Sequence, residues 1–171
     1  FLKGVHEPLI MNYRVNAGYL DSDHWVHHPT QGGGRIIGEA CHFVDFFTFL
    51  TDSLPVRVST QRLPNGSRYC DDNVIISLGF ADGSIGTVTY AANADKAFPK
   101  ERLEVLGGGT AAVLEDFRFL ELVRDGHKKI HRSRFRQDKG HRGEWEAMVD
   151  FFRKKTGPPI PFKEIIASTL T

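Results

Sequence analysis

The sequence predicts an α+β domain: an open, mainly antiparallel β-sheet with helices on one face. Three observations carry this expectation. A single segment of helical period, 34–51, follows an early strand. A run of period-two segments, broken by short turns, then extends from 55 to 133. Helical spacing returns only at 140–154 and near 163–170. This order differs from the strict alternation of strands and helices that builds a doubly wound parallel sheet. A sheet with helices on one face leaves its other face to solvent or a partner. The apolar strands at 73–91 point to a homo-oligomer formed through that face.

Residues 8–18, PLIMNYRVNAG, read as the first strand. The following stretch, YLDSDHWVHHPTQ, is a polar loop that leads into the helix. Residues 55–62 alternate, and 73–80 and 84–91 are joined by Ala81, Asp82 and Gly83, a hairpin signal. Further strands are expected at 101–106, 110–115, 118–124 and 127–133, with Asp125-Gly126 as another turn. Trp145, Met148, Val149 and Phe152 recur at helical spacing in 140–154, and Pro158, Pro159 and Pro161 end that helix before the last short one.

The segment GGGRIIGEACHFVDFF at 32–47 concentrates the chemistry. Gly32 to Gly34 make a flexible lead-in. At about 100° per residue, Ile36, Ile37, Ala40, Phe43, Val44, Phe47 and Leu50 form a core stripe. Arg35, Gly38, Glu39, Cys41, His42, Asp45, Phe46 and Phe49 fall opposite. Phe46 and Phe49 are poorly suited to water, so something is expected to cover part of this side. Gly38 costs about 1 kcal/mol relative to Ala in a helix, which suggests close approach by another group or tight packing. His42 is either a satisfied structural histidine or an acid/base, and Asp45, three residues on, can bond its imidazole or face water.

A chain of 171 residues with 40% hydrophobic and 25% charged residues suits one globular domain with a sizeable core, and excludes a disordered chain. A net charge of +1 exerts no global pull toward nucleic acid or membrane. No apolar run approaches the roughly 20 residues that span a bilayer, no signal-peptide pattern opens the chain, and Cys41 and Cys70 lack a disulfide or metal pattern. A cytoplasmic location with reduced thiols is therefore expected. The start at Phe1, without an initiator Met, suggests a piece excised from a longer protein. His24, His27 and His28 with Asp21 and Asp23 lack the spacing of a metal site, so none is assigned. Gly32–Gly34 and Gly107–Gly109 lack GxGxxG spacing, and the second run reads as a tight turn. The basic stretch 124–142 could bind a polyanion, although alternation favours a solvated sheet face and no nucleic-acid partner is assigned.

Taken in order, NYRVNAG at 12–18, DHW at 23–25, GGGRIIGEACHFVDFF at 32–47, FADGSIGTVTYAAN at 80–93, FPKERLEVLGG at 98–108 and QDKGHRGEWEA at 137–147 resemble a known family. It is the C-terminal domain of the glucose-fructose oxidoreductase, inositol dehydrogenase and MocA family. The set is most similar to the branch joined to a zinc-type alcohol dehydrogenase-like domain. The resemblance implies a dihydrodipicolinate reductase-like C-terminal fold, which supplies the substrate pocket and oligomer contacts of an NAD- or NADP-dependent oxidoreductase. It also implies that the Rossmann domain and the catalytic Lys of that family lie outside this chain. Residues 1–171 would then be the substrate-binding and oligomerisation half of a larger enzyme, inactive alone.

The family helix carries an Asp-x-x-x-His motif. His42 matches the His, whereas Gly38 occupies the Asp position with Glu39 beside it. The resemblance thus nominates His42 and Glu39 as catalytic residues, with Asp45 orienting the imidazole. Arg14, Asn16, His24, Trp25, Arg35, Lys96 and Lys100 are the candidates for contact with a sugar, cyclitol or nucleotide-sugar-like substrate. A non-catalytic, oligomerising ligand-binding module is the alternative reading.

Overall fold

The computed structural model describes residues 4–66, 69, 71–133, 137–154 and 157–171. Eight strands form one mixed sheet: β1 (Ile10–Asn16), β2 (Pro55–Arg62), β3 (Asn73–Phe80), β4 (Ile85–Ala91), β5 (Glu101–Gly107), β6 (Thr110–Glu115), β7 (Phe119–Arg124) and β8 (His127–Arg132). Their spatial order is β2-β3-β4-β1-β5-β6-β7-β8. Among the described strands only the β1–β4 pair is parallel; the chain leaves β1 through a helix, returns at the edge strand β2, three positions away, and comes back to β1 through β3 and β4. This is the expected α+β architecture, with no Rossmann unit among the described residues.

Alternation along β1 divides the sheet into two faces. Met11, Tyr13 and Val15 are buried on one. They pack with Ile76, Leu78, Phe80, Val88, Tyr90, Leu103 and Val105 beneath helix α1 (Cys41–Thr51). Phe47 of α1 has no exposed surface, and burying such a ring is worth about 1.5–3 kcal/mol. Helix α3 (Phe162–Leu170) packs on α1. On the other face Ile10 lies opposite Ile85 and Leu106 across three strands, and all three are about half exposed.

The turns follow from residues tolerant of positive φ. Asp125-Gly126 and Gly108-Gly109 both occupy the left-handed region, as two-residue hairpins require. The second glycine run is therefore a turn. In the first run, a Cβ on Gly32 would come within 2.3 Å of the Val26 backbone, and Gly33 and Gly34 have φ of 70° and 99°. That run lets one loop cross another closely.

Two expectations about the helix change. Residues Ile36–Ala40 form a π-helical turn before α1 begins at Cys41. The wider turn breaks the 100° phase, so Ile37 leaves the core stripe and is 75% exposed, while Arg35 is buried. Gly38 meets no close neighbour, since a Cβ there would find nothing within 4 Å among the described residues. Asp52, in the left-handed conformation, ends α1. Helix α2 (His141–Lys154) has no buried residue, and Trp145 and Phe152 are largely exposed. Cys41 is a half-buried free thiol, and Cys70 lies outside the described residues.

Candidate functional site

A cavity of about 730 Å³ opens between the helical layer and the ends of β1 and β5. Glu39, His42 and Asp45 line it from the π-helical turn and α1, and Lys100 lines it from the sheet side. Four of the residues nominated from sequence thus meet in one place. The imidazole of His42 is exposed to the cavity. No hydrogen bond links His42 to Asp45 among the described residues, so the expected orienting contact is absent from this arrangement. Glu39 is held by Arg35, whose Nε lies 3.4 Å from its carboxylate. Glu39 and Asp45 line the cavity together with His42, whereas a Cβ at Gly38 would meet open space among the described residues.

Opposite these groups lie Tyr13, Glu101 and Lys139, which the sequence reading did not single out. The Tyr13 hydroxyl donates to Glu101 Oε2 at 2.8 Å, and the Lys139 ammonium donates to Glu101 Oε1 at 2.6 Å. Asp116 Oδ1 accepts from the Glu101 backbone N–H at 2.7 Å, fixing the strand end. Burial, and then the Glu101 carboxylate beside it, push the Tyr13 hydroxyl well above its ordinary pKa. Three residues from distant parts of the chain converge here because β1 and β5 are neighbours.

The apolar wall is aromatic. Phe117 stacks on Phe46 with ring centroids 6.5 Å apart and planes 24° from parallel. Phe117 has φ of 52°, a left-handed conformation that is strained for a bulky side chain. The ring contact and the Lys139 ammonium, 5.4 Å from its centroid, accompany that conformation at the cavity edge. Phe117 thus covers Phe46, as the sequence pattern required, whereas Phe49 stays 76% exposed.

The remaining nominated residues stand elsewhere. Arg35 is 5% exposed; it donates to the carbonyl oxygens of Gly18 at 2.6 Å and Ala17 at 3.2 Å, and its guanidinium lies 5.4 Å from the centroid of Tyr90. Its donors are engaged in joining the helix to the end of β1. Arg14 donates to the Pro99 carbonyl at 2.7 Å and lies over the Phe98 ring. His24 caps its own short helical turn by accepting from Val26 N–H at 3.3 Å, and Trp25 is exposed, away from the cavity. Asn16 and Lys96 line a separate depression, which Lys100 shares.

No three His, Cys, Asp or Glu side chains converge as a metal set among the described residues. Both glycine runs serve turns or loop crossings. No helix is long and apolar enough to cross a membrane among the described residues. In the basic stretch, Lys128 pairs with Glu121 at 2.8 Å and Arg124 with Asp125 at 3.7 Å, while residues 134–136 lie outside the described residues.

An open mixed sheet with a helical layer on one face, and a cavity beside it bearing His, carboxylates and aromatic rings, defines an α+β domain. The chain belongs to the GFO/IDH/MocA C-terminal domain family, whose model matches residues 7–112. No curated protein sequence matches it. Among solved structures it is similar to a dehydrogenase (MviM) from Clostridium difficile, at 14% identity and TM-score 0.74, covering 98% of this chain and 54% of that one. It is also similar to the UDP-N-acetylglucosamine 3-dehydrogenase GnnA from Acidithiobacillus ferrooxidans, at 12% identity and TM-score 0.73, covering 98% and 52%. An oxidoreductase from Agrobacterium radiobacter in complex with NAD+, L-tartaric acid and magnesium matches at 12% identity and TM-score 0.70, covering 95% and 52%. The chain thus spans about half the length of these structures.

Proposed function

We propose that this chain is the substrate-side half of an oxidoreductase acting on a hydroxyl or keto group of a sugar, cyclitol or nucleotide-sugar-like compound. The observation that carries this reading is the shared cavity of His42 and Glu39, in a chain whose family and structural neighbours include dehydrogenases. NAD or NADP would be held by a nucleotide-binding domain outside residues 1–171, a reading supported by the match to a C-terminal domain family and by a neighbour solved with NAD+ that this chain covers to 52%. When bound, its nicotinamide supplies the redox chemistry.

The residues of this chain bind the substrate and move a proton. His42 stands at the cavity with an imidazole that can exchange a proton with a substrate hydroxyl. Glu39, held by Arg35, and Asp45 accept hydrogen bonds from other hydroxyls. The rings of Phe46 and Phe117 offer apolar faces to the C–H side of the ligand, a division of labour common in small-molecule pockets. The likeness of the motif set to the branch joined to a zinc-type alcohol dehydrogenase-like domain supports an upstream domain of that kind. The exposed row Ile10, Ile85 and Leu106 supports a homo-oligomer through the open sheet face, which light scattering on a sizing column tests.

The test is substitution in the full-length parent enzyme. His42→Ala is expected to lower turnover by about 10²–10⁴-fold, with the folded state intact by circular dichroism. An unchanged turnover rejects the assignment.

A further inference from the structure

Helix α2 forms an apolar face and leaves it uncovered. At about 100° per residue, Trp145, Met148, Val149 and Phe152 fall on one stripe. Trp145 and Phe152 are 71% and 72% exposed, and no residue of the helix is buried. The far side is charged and pairs with itself: Arg142 donates to Glu146 at 2.8 Å, and Lys154 to Asp150 at 2.7 Å. A helix of 14 residues is marginal in water unless an apolar face is buried against something. An exposed stripe of this kind marks a contact surface.

The position of the stripe says what it meets. His141 and Glu144 line the His42 cavity, and each stands one turn before a stripe residue on the same side of the helix, His141 before Trp145 and Glu144 before Met148. The stripe therefore starts at the cavity and runs away from it. Phe49 of α1 and Ile160 before α3 also line the cavity and remain exposed, so the apolar surface continues around its mouth. The row Ile10, Ile85 and Leu106 lies on the other face of the sheet, so a second copy docked there leaves α2 uncovered.

Hydride transfer brings the reacting atoms within about 3–3.5 Å of each other. A nicotinamide that serves the His42 cavity thus enters through its open side, and the domain that carries it abuts the mouth. The matching family model is that of a C-terminal domain, and this chain spans about half the length of its structural neighbours, so a parent of their size has room for such a domain. Resting on the dehydrogenase reading above, we infer that the α2 stripe is the docking surface for the nucleotide-binding domain outside residues 1–171. That domain covers Trp145, Met148, Val149 and Phe152, and in doing so closes the cavity on the side of His141 and Glu144.

The test needs neither substrate nor turnover. A photoreactive side chain is placed in the full-length parent as Phe152→p-benzoylphenylalanine, the protein is irradiated, and the linked peptides are identified by mass spectrometry. The cross-link is expected to join residue 152 to a peptide of the nucleotide-binding domain. A link to a peptide within 1–171, as a second copy of this chain on the stripe would give, overturns the inference, and so does the absence of any link. Hydrogen exchange gives an independent measure. Amides of 141–154 are expected to exchange about tenfold or more slowly in the parent than in its variant Trp145→Asp/Phe152→Asp, with those of β1 unchanged. Equal exchange in the two proteins overturns the inference as well. If the double variant fails to fold, Trp145→Ala is read in the same way. A cross-link to the nucleotide-binding domain with an active His42→Ala parent removes the dehydrogenase assignment and leaves the contact standing. An inactive His42→Ala parent without the cross-link removes only the contact.

Discussion

The Tyr13 hydroxyl donates to Glu101 Oε2 at 2.8 Å, joining two side chains 88 residues apart at the floor of the cavity. Glu101 is buried, and its second oxygen holds Lys139, so the carboxylate is satisfied from both sides. Tyr13→Phe removes one donor and should cost about 1–3 kcal/mol in urea unfolding. Glu101→Ala should cost more, since it also unpairs Lys139. In the double variant the two losses should fall short of their sum by at least about 0.5 kcal/mol. Strict additivity would show that the contact contributes nothing.

Alkaline stability provides a second check. Burial first, and then a nearby carboxylate, raise the hydroxyls of Tyr13 and Tyr90 above the ordinary value; the neighbour is Glu101 for one and Glu39 for the other. Below about pH 10 both are protonated, folded or unfolded. Above it the unfolded chain releases protons that the folded chain retains, so unfolding is favoured as pH rises. Melting temperature is expected to fall from about pH 10 upward, and Tyr13→Phe should make that fall shallower. An identical slope in the variant would contradict the raised value at Tyr13.

Gly86 lies beneath α1, where a Cβ would approach Phe47 Cε2 to 2.6 Å. Phe47 is fully buried and cannot yield without moving the helix. Gly86→Ala should therefore cost about 1–3 kcal/mol by overpacking. Gly126→Ala, in a β7–β8 turn with open space around it, should cost only its backbone strain of about 1–2 kcal/mol. Combining Gly86→Ala with Phe47→Leu should recover part of the loss, and no recovery would mean that the clash lies elsewhere.

Arg35→Lys keeps the charge but loses the planar fork that reaches Gly18, Ala17 and Glu39 together. A loss of about 1–3 kcal/mol is expected, with faster amide exchange at 17–18. Unchanged exchange there would show that Arg35 does not anchor the end of β1.

Asp52 ends α1 at φ 51°. Asp52→Gly removes the left-handed penalty and should stabilise the chain by about 0.5–1 kcal/mol, read from the denaturation midpoint. A loss of stability would imply a role for the carboxylate that the helix end does not reveal.

Much of the fold is legible in the chain. Strand positions at 55–62, 73–80 and 110–115, the Asp125-Gly126 turn and the proline break before α3 all arise from local periodicity and local backbone preference. The grouping of His42, Glu39 and Asp45 is legible for the same reason, because they share a few turns of one helix. Ile37 and Arg35 exchange places relative to a regular helix because the π-helical turn changes the phase, and a wider turn leaves no mark in hydrophobic spacing.

By itself the sequence determined the class of fold, the element order and the His-bearing helix, since each depends on residues a few positions apart. Only the tertiary structure decided that β1 lies between β4 and β5. That placement brings Tyr13 to Glu101 and Lys139, and sets Asn16 beneath the loop 95–100. Such partners are selected by strand pairing over long separations, where the driving force is shared burial and carries no fixed sequence interval.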